Sequence, residues 1–271
     1  MIRVLRELWL FFLRDLAIAR TYRSGFIMEI VESFFGAATF YYVSQFVDSP
    51  QLQRSLPQGG TYFAFSLIGF VYLDYLSASL DTFDRSLQEA RDSGTLEHLL
   101  VTQTSLPTFV IGSSLYPFLV TTLRIAVYFA WGAIFFGFPL RNANWLAVFA
   151  ILVATLLAFS GLGILSASYL LLFKRGNPGK WLLLSISGVA SGMLFPVSIL
   201  PDWLQFLAHI NPVTYALDAM RAALLAGNNL LSIWRPLVML LLFASILLPL
   251  SGLAFSWSLR RTKANGTLTH R

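Results

Sequence analysis

The chain of 271 residues is 56% hydrophobic and only 12% charged, whereas charged residues make up about 25% of an average soluble domain. A soluble domain of this size could not bury so much apolar surface, so the lipid bilayer is its natural solvent. The absence of cysteine excludes structural disulfides, thiolate nucleophiles and cysteine-based metal sites. The net charge of +6 fits the loop bias of a membrane protein, and we do not expect nucleic-acid binding.

The first 25 residues, MIRVLRELWLFFLRDLAIARTYRSG, predict a helix that lies on the membrane instead of crossing it. Such a helix has one apolar, aromatic-rich side and one side with Arg3, Glu7 and Arg14, which is typical of helices in the headgroup plane. A cleavable signal peptide is the less favoured alternative, because Arg14 and Asp15 interrupt an apolar core that is already short. We therefore expect a cytoplasmic interfacial helix over residues 1–25.

Six apolar runs are long enough to cross about 30 Å of hydrocarbon as helices. They cover residues 26–47, 61–80, 109–138, 145–173, 181–200 and 236–259. With the amino terminus inside, most of the 19 lysine and arginine residues fall in cytoplasmic segments, which is the usual bias of membrane proteins. We predict an all-α integral membrane protein, with a single domain over residues 1–271 and six transmembrane helices in a cell membrane. Both termini are cytoplasmic, and residues 260–271 form a polar tail.

The segment between the second and third spans, residues 82–106, predicts two cytoplasmic helices. The second span continues as a helical stalk to Asp92, and Gly94 can end this helix with a left-handed residue. Thr95 can then cap a short helix, in whose first turn Glu97 favours the positive end of the helix dipole. The leucines of that short helix form an apolar patch. The patch indicates a partner surface, and its burial in lipid headgroups is the alternative.

Residues 196–228 are too polar for one span and too apolar for a free loop. Pro196, Pro201 and Pro212 each interrupt helix hydrogen bonding. A short helix can begin at Pro201, and Asn211 can cap a second helix that has Pro212 at its first position and stops at the sequence Gly-Asn-Asn. We predict two short helices folded back at the outer surface, because non-helical backbone at that depth must face protein or a water-filled cavity.

Four ionisable residues fall inside the predicted spans: Glu29, Glu32, Asp74 and Arg124. Charges in hydrocarbon normally face a partner or water. The second and third spans are antiparallel neighbours, so Asp74 and Arg124 can form a structural ion pair with each other or with other partners. A role in a translocation path or at a dimer seam is the alternative.

The sequence shows no catalytic or nucleotide-binding pattern. Its three histidines lie in different predicted segments and have no metal-binding spacing. The sequence GNPGKW has two residues between its glycines where a phosphate-binding loop needs four, and it lacks the Ser or Thr that would meet magnesium. We expect a basic turn there, and no enzyme activity on this chain.

Two stretches resemble the membrane subunits of ABC-2 type transporters, the permease half of type V ABC exporters. Drug-resistance, nodulation and polysaccharide-export permeases belong to this family. The stretch EARDSGTLEHLLVTQTS resembles the family's cytosolic coupling helix with its G-T-L-E core. The stretch LFPVSILPDWLQFLAHINPVTYALDAMRAAL resembles the re-entrant helices before the last span. The six-span layout and the basic amino-terminal helix agree with the family along the whole chain.

The resemblance implies an ATP-driven exporter in which two permeases, copies of this chain or a related one, pair around a central path above two P-loop ATPase subunits. ATP and magnesium would bind to those separate subunits, and no cofactor is expected on this chain. The residues that would dock on the ATPase are Gly94, Thr95, Leu96, Glu97, Leu99 and Leu100. The residues that would shape the outer gate are Pro196, Pro201, Asn211, Pro212 and Tyr215.

Two other functions stay open at this point. An ion-coupled secondary transporter or channel would use the four intramembrane charges as a relay. An inverted repeat between the chain halves would favour this function, and the sequence does not show one. A membrane-embedded enzyme would need a clustered set of histidines or acidic residues. The apolar, aromatic-rich chain allows lipid, hydrophobic drug or lipid-linked glycan as substrate, and it fits a homodimer as well as a heterodimer.

Overall fold

The computed structural model describes residues 2–21, 23–47, 56, 60–92, 106–173 and 177–264. Within these ranges the chain is helical and has no strand. In chain order the helices are α1 (Ile2–Thr21), α2 (Arg23–Val47), α3 (Tyr62–Asp92), α4 (Leu106–Phe135), α5 (Trp145–Phe173), α6 (Pro178–Ala190), α7 (Asp202–Ile210), α8 (Pro212–Leu224) and α9 (Trp234–Ala264). A 3₁₀ helix, Val197–Ile199, precedes α7.

Four of the described helices are long and apolar enough to cross a membrane. They lie in α3 (Tyr62–Glu89), α4 (Thr108–Phe135), α5 (Trp145–Phe173) and α9 (Trp234–Thr262). These four correspond to the second, third, fourth and sixth predicted spans. The first predicted span is also a helix, α2, whose 25 residues include Glu29 and Glu32.

The prediction of one continuous span over residues 181–200 is wrong. Helix α6 has 13 residues, which is about 20 Å at 1.5 Å per residue and less than the hydrocarbon thickness. The chain then bends over residues 191–195, where Gly192 adopts a φ of +81°. Pro196 follows and cannot donate the hydrogen bond that would continue a helix. The apolar composition of this run therefore gave no indication that the helix ends after Ala190.

Helix α3 lies at the centre of the described structure. It is the most enclosed of the four long helices, whereas α9 is the most exposed. Its side chains Tyr72, Tyr75 and Phe83 are fully buried, and α4 and α5 pack against them through Phe118 and Phe159. The helix also continues to Asp92, as the sequence predicted for the stalk.

Helix α1 packs along the first turns of α4. Phe11 and Phe109 make an edge-to-face contact at 5.5 Å between ring centroids. A methyl group added at Gly112 would lie 2.6 Å from the Phe11 ring, so only glycine allows this approach. Arg14 Nη2 donates a hydrogen bond to Ser113 Oγ at 3.3 Å. The amino-terminal helix is thus attached to the start of α4.

Helices α3 and α5 approach each other closely at Gly163. A methyl group added there would lie 2.3 Å from Phe83 Cδ2 and 2.7 Å from the Ser79 carbonyl oxygen. The carbonyl belongs to the α3 backbone and cannot rotate away. Small residues at helix contacts are the usual way in which membrane helices pack closely.

We expect Gly163→Ala to destabilise the fold by about 1–3 kcal/mol, because the added methyl group overpacks the contact between α3 and α5. The matched control is Gly252→Ala on α9, where no heavy atom lies within 4 Å of the added methyl group. Thermal unfolding of the two purified variants in the same detergent measures the difference. Equal midpoints for the two variants would contradict the close contact.

Candidate functional site

The predicted ATPase-docking residues lie outside the described residues. They are Gly94, Thr95, Leu96, Glu97, Leu99 and Leu100, all within residues 93–105. The structure describes both helices that flank this segment, since α3 ends at Asp92 and α4 begins at Leu106. The docking role of the segment therefore stays a prediction, and the structure shows what each flanking helix is attached to.

A buried carboxylate fastens the carboxyl-terminal part of α3 to α5 and to the start of α6. Asp84 is only 5% exposed. The hydroxyl of Ser166 on α5 donates to this carboxylate, with oxygen separations of 2.9 and 3.0 Å. Asn177 Nδ2 donates to Asp84 Oδ2 at 3.2 Å and to Ser166 Oγ at 2.6 Å. The side chain of Asn177 also caps α6 by accepting from the Lys180 amide at 3.0 Å.

An ion pair lies one turn earlier along α3. Lys180 in the first turn of α6 pairs with Asp81, and both side chains are partly buried. Asp81 and Asp84 are three residues apart and therefore lie on the same face of α3. We name the five residues Asp81, Asp84, Ser166, Asn177 and Lys180 the inner joint. It connects three helices near the end of α3 that leads to residues 93–105.

The break after α6 is held by a fully buried arginine from α8. Arg221 is 1% exposed. Its Nη1 donates to the Gly192 carbonyl at 2.9 Å, and its Nη2 donates to the Met193 carbonyl at 3.1 Å. Nη2 also donates to the Phe65 carbonyl of α3 at 2.9 Å, and the guanidinium stacks on the Phe65 ring at 3.4 Å. One cation thus supplies donors to the carbonyls that the helix break leaves unpaired.

The acidic residue Asp218 lies near the guanidinium of Arg221. Asp218 lies one turn earlier on α8, and burial raises the pKa of its carboxyl group while Arg221 opposes the shift.

The close approach of Met193 to α3 depends on Gly69, because a methyl group there would lie 2.4 Å from the Met193 carbonyl oxygen. We name the contact of Phe65, Gly69, Gly192, Met193 and Arg221 the outer joint.

The predicted outer-gate residues organise the two short helices. Pro196 and Pro201 flank the 3₁₀ helix and precede α7. Asn211 is the N-cap of α8, with its side chain accepting from the Val213 amide at 3.0 Å, and Pro212 occupies the first position. The Tyr215 hydroxyl donates to the His209 carbonyl at 2.9 Å. These helix boundaries agree with the sequence prediction, and the gating role stays a prediction.

Asn211 has a further contact that the sequence did not reveal. Its Nδ2 donates to Ser187 Oγ on α6 at 2.9 Å, and both residues are buried. The cap of α8 is therefore tied directly to α6. The stop of α8 is also as expected, since Gly227 adopts a φ of +67° shortly after the helix ends at Leu224.

Of the four intramembrane charges, Asp74 and Arg124 lie in direct contact. Arg124 Nη2 lies 3.0 Å from Asp74 Oδ2, and both side chains keep some exposure at 21% and 29%. This is the ion pair between α3 and α4 that the sequence left as one of two possibilities. Glu29 lines a small cleft with Arg124 between α2 and α4, whereas Glu32 is exposed on α2.

Comparison with known proteins decides the family. The profile described as "ABC-2 type transporter" matches residues 6–225, which is most of the chain. The chain belongs to the ABC-2 type transporter family. It is also similar to a protein named probable multidrug ABC transporter permease YbhR from Escherichia coli strain K12, at 26% identity over 160 residues, which is 59% of this chain and 43% of that protein.

A second relative of this ABC-2 chain is nodulation protein J of Neorhizobium galegae. The two are 27% identical over 183 residues, which is 62% of this chain and 63% of that protein. The chain therefore spans less than two thirds of the length of either relative. The family match agrees with the resemblance drawn from the two sequence stretches.

Sequence reasoning missed the centres of both joints in this ABC-2 chain. Neither Arg221 nor Asp84 was singled out from the sequence. A signal for Arg221 existed, because Gly192 and Pro196 imply a helix break whose carbonyls need donors. No comparable signal pointed to Asp84, since its partners Ser166 and Asn177 are distant in sequence.

We expect Arg221→Met to destabilise the protein by about 3–5 kcal/mol, since it removes a donor from three carbonyls and the cation that interacts most strongly with the buried carboxyl group of Asp218. Arg235→Met is the matched control, because Arg235 is exposed at the start of α9. Thermal unfolding with an intrinsic tryptophan signal compares the two variants. Similar stability of both variants would contradict the role of Arg221 at the helix break.

The ion pair between Asp74 and Arg124 predicts a charge-swap result. Asp74→Arg and Arg124→Asp each place two like charges together in an apolar region, and both should lower expression in the membrane and thermal stability. The double variant restores an opposite pair and should recover much of the loss, as coupled neighbours do. A double variant that is no better folded than the single variants would remove the support for the pair.

Proposed function

We propose that this ABC-2 chain is the permease subunit of an ATP-driven exporter and spans the membrane six times with both termini in the cytoplasm. The single observation that carries the proposal is the family match over residues 6–225. The four long apolar helices supply the membrane-spanning character that such a subunit requires. Helix α2, and α6 together with the bent segment after it, supply the two further crossings.

The position of residues 93–105 supports coupling to a separate ATPase. The segment connects two long apolar helices on the side where most basic loop residues lie, and that side is cytoplasmic under the charge bias of membrane proteins. A P-loop ATPase on that side would receive the short helix predicted after Thr95. ATP and magnesium bind to that partner in this proposal.

Two copies of this chain, or this chain and a relative, would enclose the substrate path. The large apolar side chains exposed on α2, α4 and α9 provide surface for lipid and for a second permease. The substrate class proposed on this basis is an amphiphilic or hydrophobic molecule, such as a lipid, a hydrophobic drug or a lipid-linked glycan. The path would run beside the short helices α7 and α8 at the outer surface.

The ion-coupled alternative is weaker on the structure. It would depend on a relay of four intramembrane charges, and two of these, Asp74 and Arg124, are paired with each other. Two opposite charges at hydrogen-bonding distance stabilise one another, and the described structure does not place the four charges in one chain of contacts. We therefore propose the ATP-driven function alone.

The test is purification of the tagged chain from its native membrane. We expect a P-loop ATPase as a stoichiometric partner, and we expect its loss on Glu97→Arg or on joint replacement of Leu96 and Leu100 by Asp. Leu231→Asp is the matched control, because Leu231 is 82% exposed between α8 and α9, at the opposite end of the bundle in the proposed topology. An active preparation of the chain without any ATPase would overturn the proposal.

A further inference from the structure

Helix α6 lies antiparallel along α3 and contacts it at both ends. Asn177 and Lys180 at the start of α6 meet Asp84 and Asp81 near the end of α3. In the middle, a methyl group added at Gly188 would lie 3.7 Å from Leu73 Cδ2, which is ordinary contact. Beyond the end of α6, Met193 meets Gly69 near the start of α3. The two helices therefore run side by side in one register.

The inner joint fixes where α6 begins. Asn177 uses its amide oxygen to cap α6 and its amide nitrogen to bind Asp84 and Ser166. A shift of α3 relative to α6 would break the bond between Asn177 and Asp84 unless the cap moved with it. Asp84 is 5% exposed, so that loss removes one of the donors of a buried carboxylate. The start of α6 must therefore follow α3.

The outer joint fixes where α6 ends. Arg221 binds the carbonyls of Gly192 and Met193 just after α6 and the carbonyl of Phe65 on α3 with the same guanidinium. Asn211, the cap of α8, binds Ser187 in the last turn of α6. The end of α6 is thus connected to α3 and to the short helix that carries Arg221.

From these contacts we infer that α3 and α6 form one mechanical unit, in which Asp84 and Asn177 are the positioning residues that pass movement of α3 to the bent segment after α6 and to α8. The inference rests on the proposed function, because the movement begins with ATPase contact at residues 93–105. Neither residue touches substrate in this scheme. Their role is to keep the carboxyl-terminal part of α3, which leads to that contact, in register with the short helices at the other end of the unit.

The natural absence of cysteine allows a direct test with one reporter. Ser198→Cys places a thiol at an exposed position of the 3₁₀ helix, next to the outer joint. The chain carrying Ser198→Cys is purified with its ATPase partner and placed in lipid nanodiscs. The rate of reaction with a polar fluorescent maleimide is then measured without nucleotide and after trapping with ATP and vanadate.

Asn177→Asp disrupts the inner joint selectively. Aspartate keeps the N-cap of α6, because it still accepts from the Lys180 amide. It replaces the amide donor with an oxygen that faces the carboxylate of Asp84, and two like charges in contact repel. We expect this variant to keep ATPase binding and ATP hydrolysis and to lose the ATP-dependent change in labelling rate.

The donor and acceptor can be exchanged in a double variant. Asp84→Asn combined with Asn177→Asp places the amide on α3 and the carboxylate on α6, so that the hydrogen bond re-forms in reverse and the cap is kept. We expect the ATP-dependent labelling change to return in this variant. The control is Gln88→Glu, the same change of amide to carboxylate at an exposed position one turn further along α3, which should behave like the reporter chain alone.

Each outcome has a separate meaning. If no ATPase binds to the reporter chain, the proposed function fails. If the ATPase binds but ATP leaves the labelling rate unchanged, or if Asn177→Asp couples as well as the reporter chain, the inference is overturned and the proposed function stands. If Asn177→Asp does not fold, Asn177→Ser keeps a cap that is too short to reach Asp84. Normal coupling in that variant overturns the inference, and loss of coupling with ATPase still bound supports it.

Discussion

The interaction on which the fold depends most is the buried guanidinium of Arg221 at the break after α6. Backbone carbonyls that leave a helix inside an apolar layer have no water to accept from, and each unpaired group costs free energy comparable to a lost hydrogen bond. Arg221 donates to two such carbonyls and to a third on α3. Without this cation, a chain of this composition would have to extend α6 or expose the bend to lipid. The short helices α7 and α8 can fold back only because the break is satisfied.

Close approach of backbones is the second constraint, and glycines at three contacts provide it. Gly69 allows Met193 to lie close to α3, and Gly163 allows α5 to lie close to α3. Gly161 allows the backbone of α9 near Leu247 to lie close to α5. In lipid the hydrophobic effect does not distinguish one apolar neighbour from another, so packing and internal hydrogen bonds determine which helices associate. The polar joints then select among the close contacts, because a carboxylate or guanidinium is satisfied by only one arrangement of neighbours.

The features that the sequence predicted are those with local causes. The long apolar runs, the cap at Asn211 with Pro212 behind it and the continuation of α3 to Asp92 each follow from residues a few positions apart. The joints could not be predicted in the same way, since Arg221 binds a residue 156 positions away and Asp84 binds one 82 positions away. The interrupted fifth run lies between these cases. Its glycine and proline can be read from the sequence. Composition alone did not show that Arg221 would donate hydrogen bonds to the carbonyls at the break and so stabilise it.

The two joints differ in what could replace their contacts. The carbonyls bound by Arg221 are all served by one guanidinium that is 1% exposed, so its removal takes a donor from all three at once. The partners of the inner joint include Asp81 and Lys180, whose side chains are 30% and 22% exposed and can exchange their contact for water. Opening the pair of Asp81 and Lys180 therefore costs less than removing the guanidinium of Arg221. Asp84 is 5% exposed and keeps its contacts with Ser166 and Asn177 when that pair opens, so it still holds α3 to α6 next to the segment on which the ATPase is proposed to act.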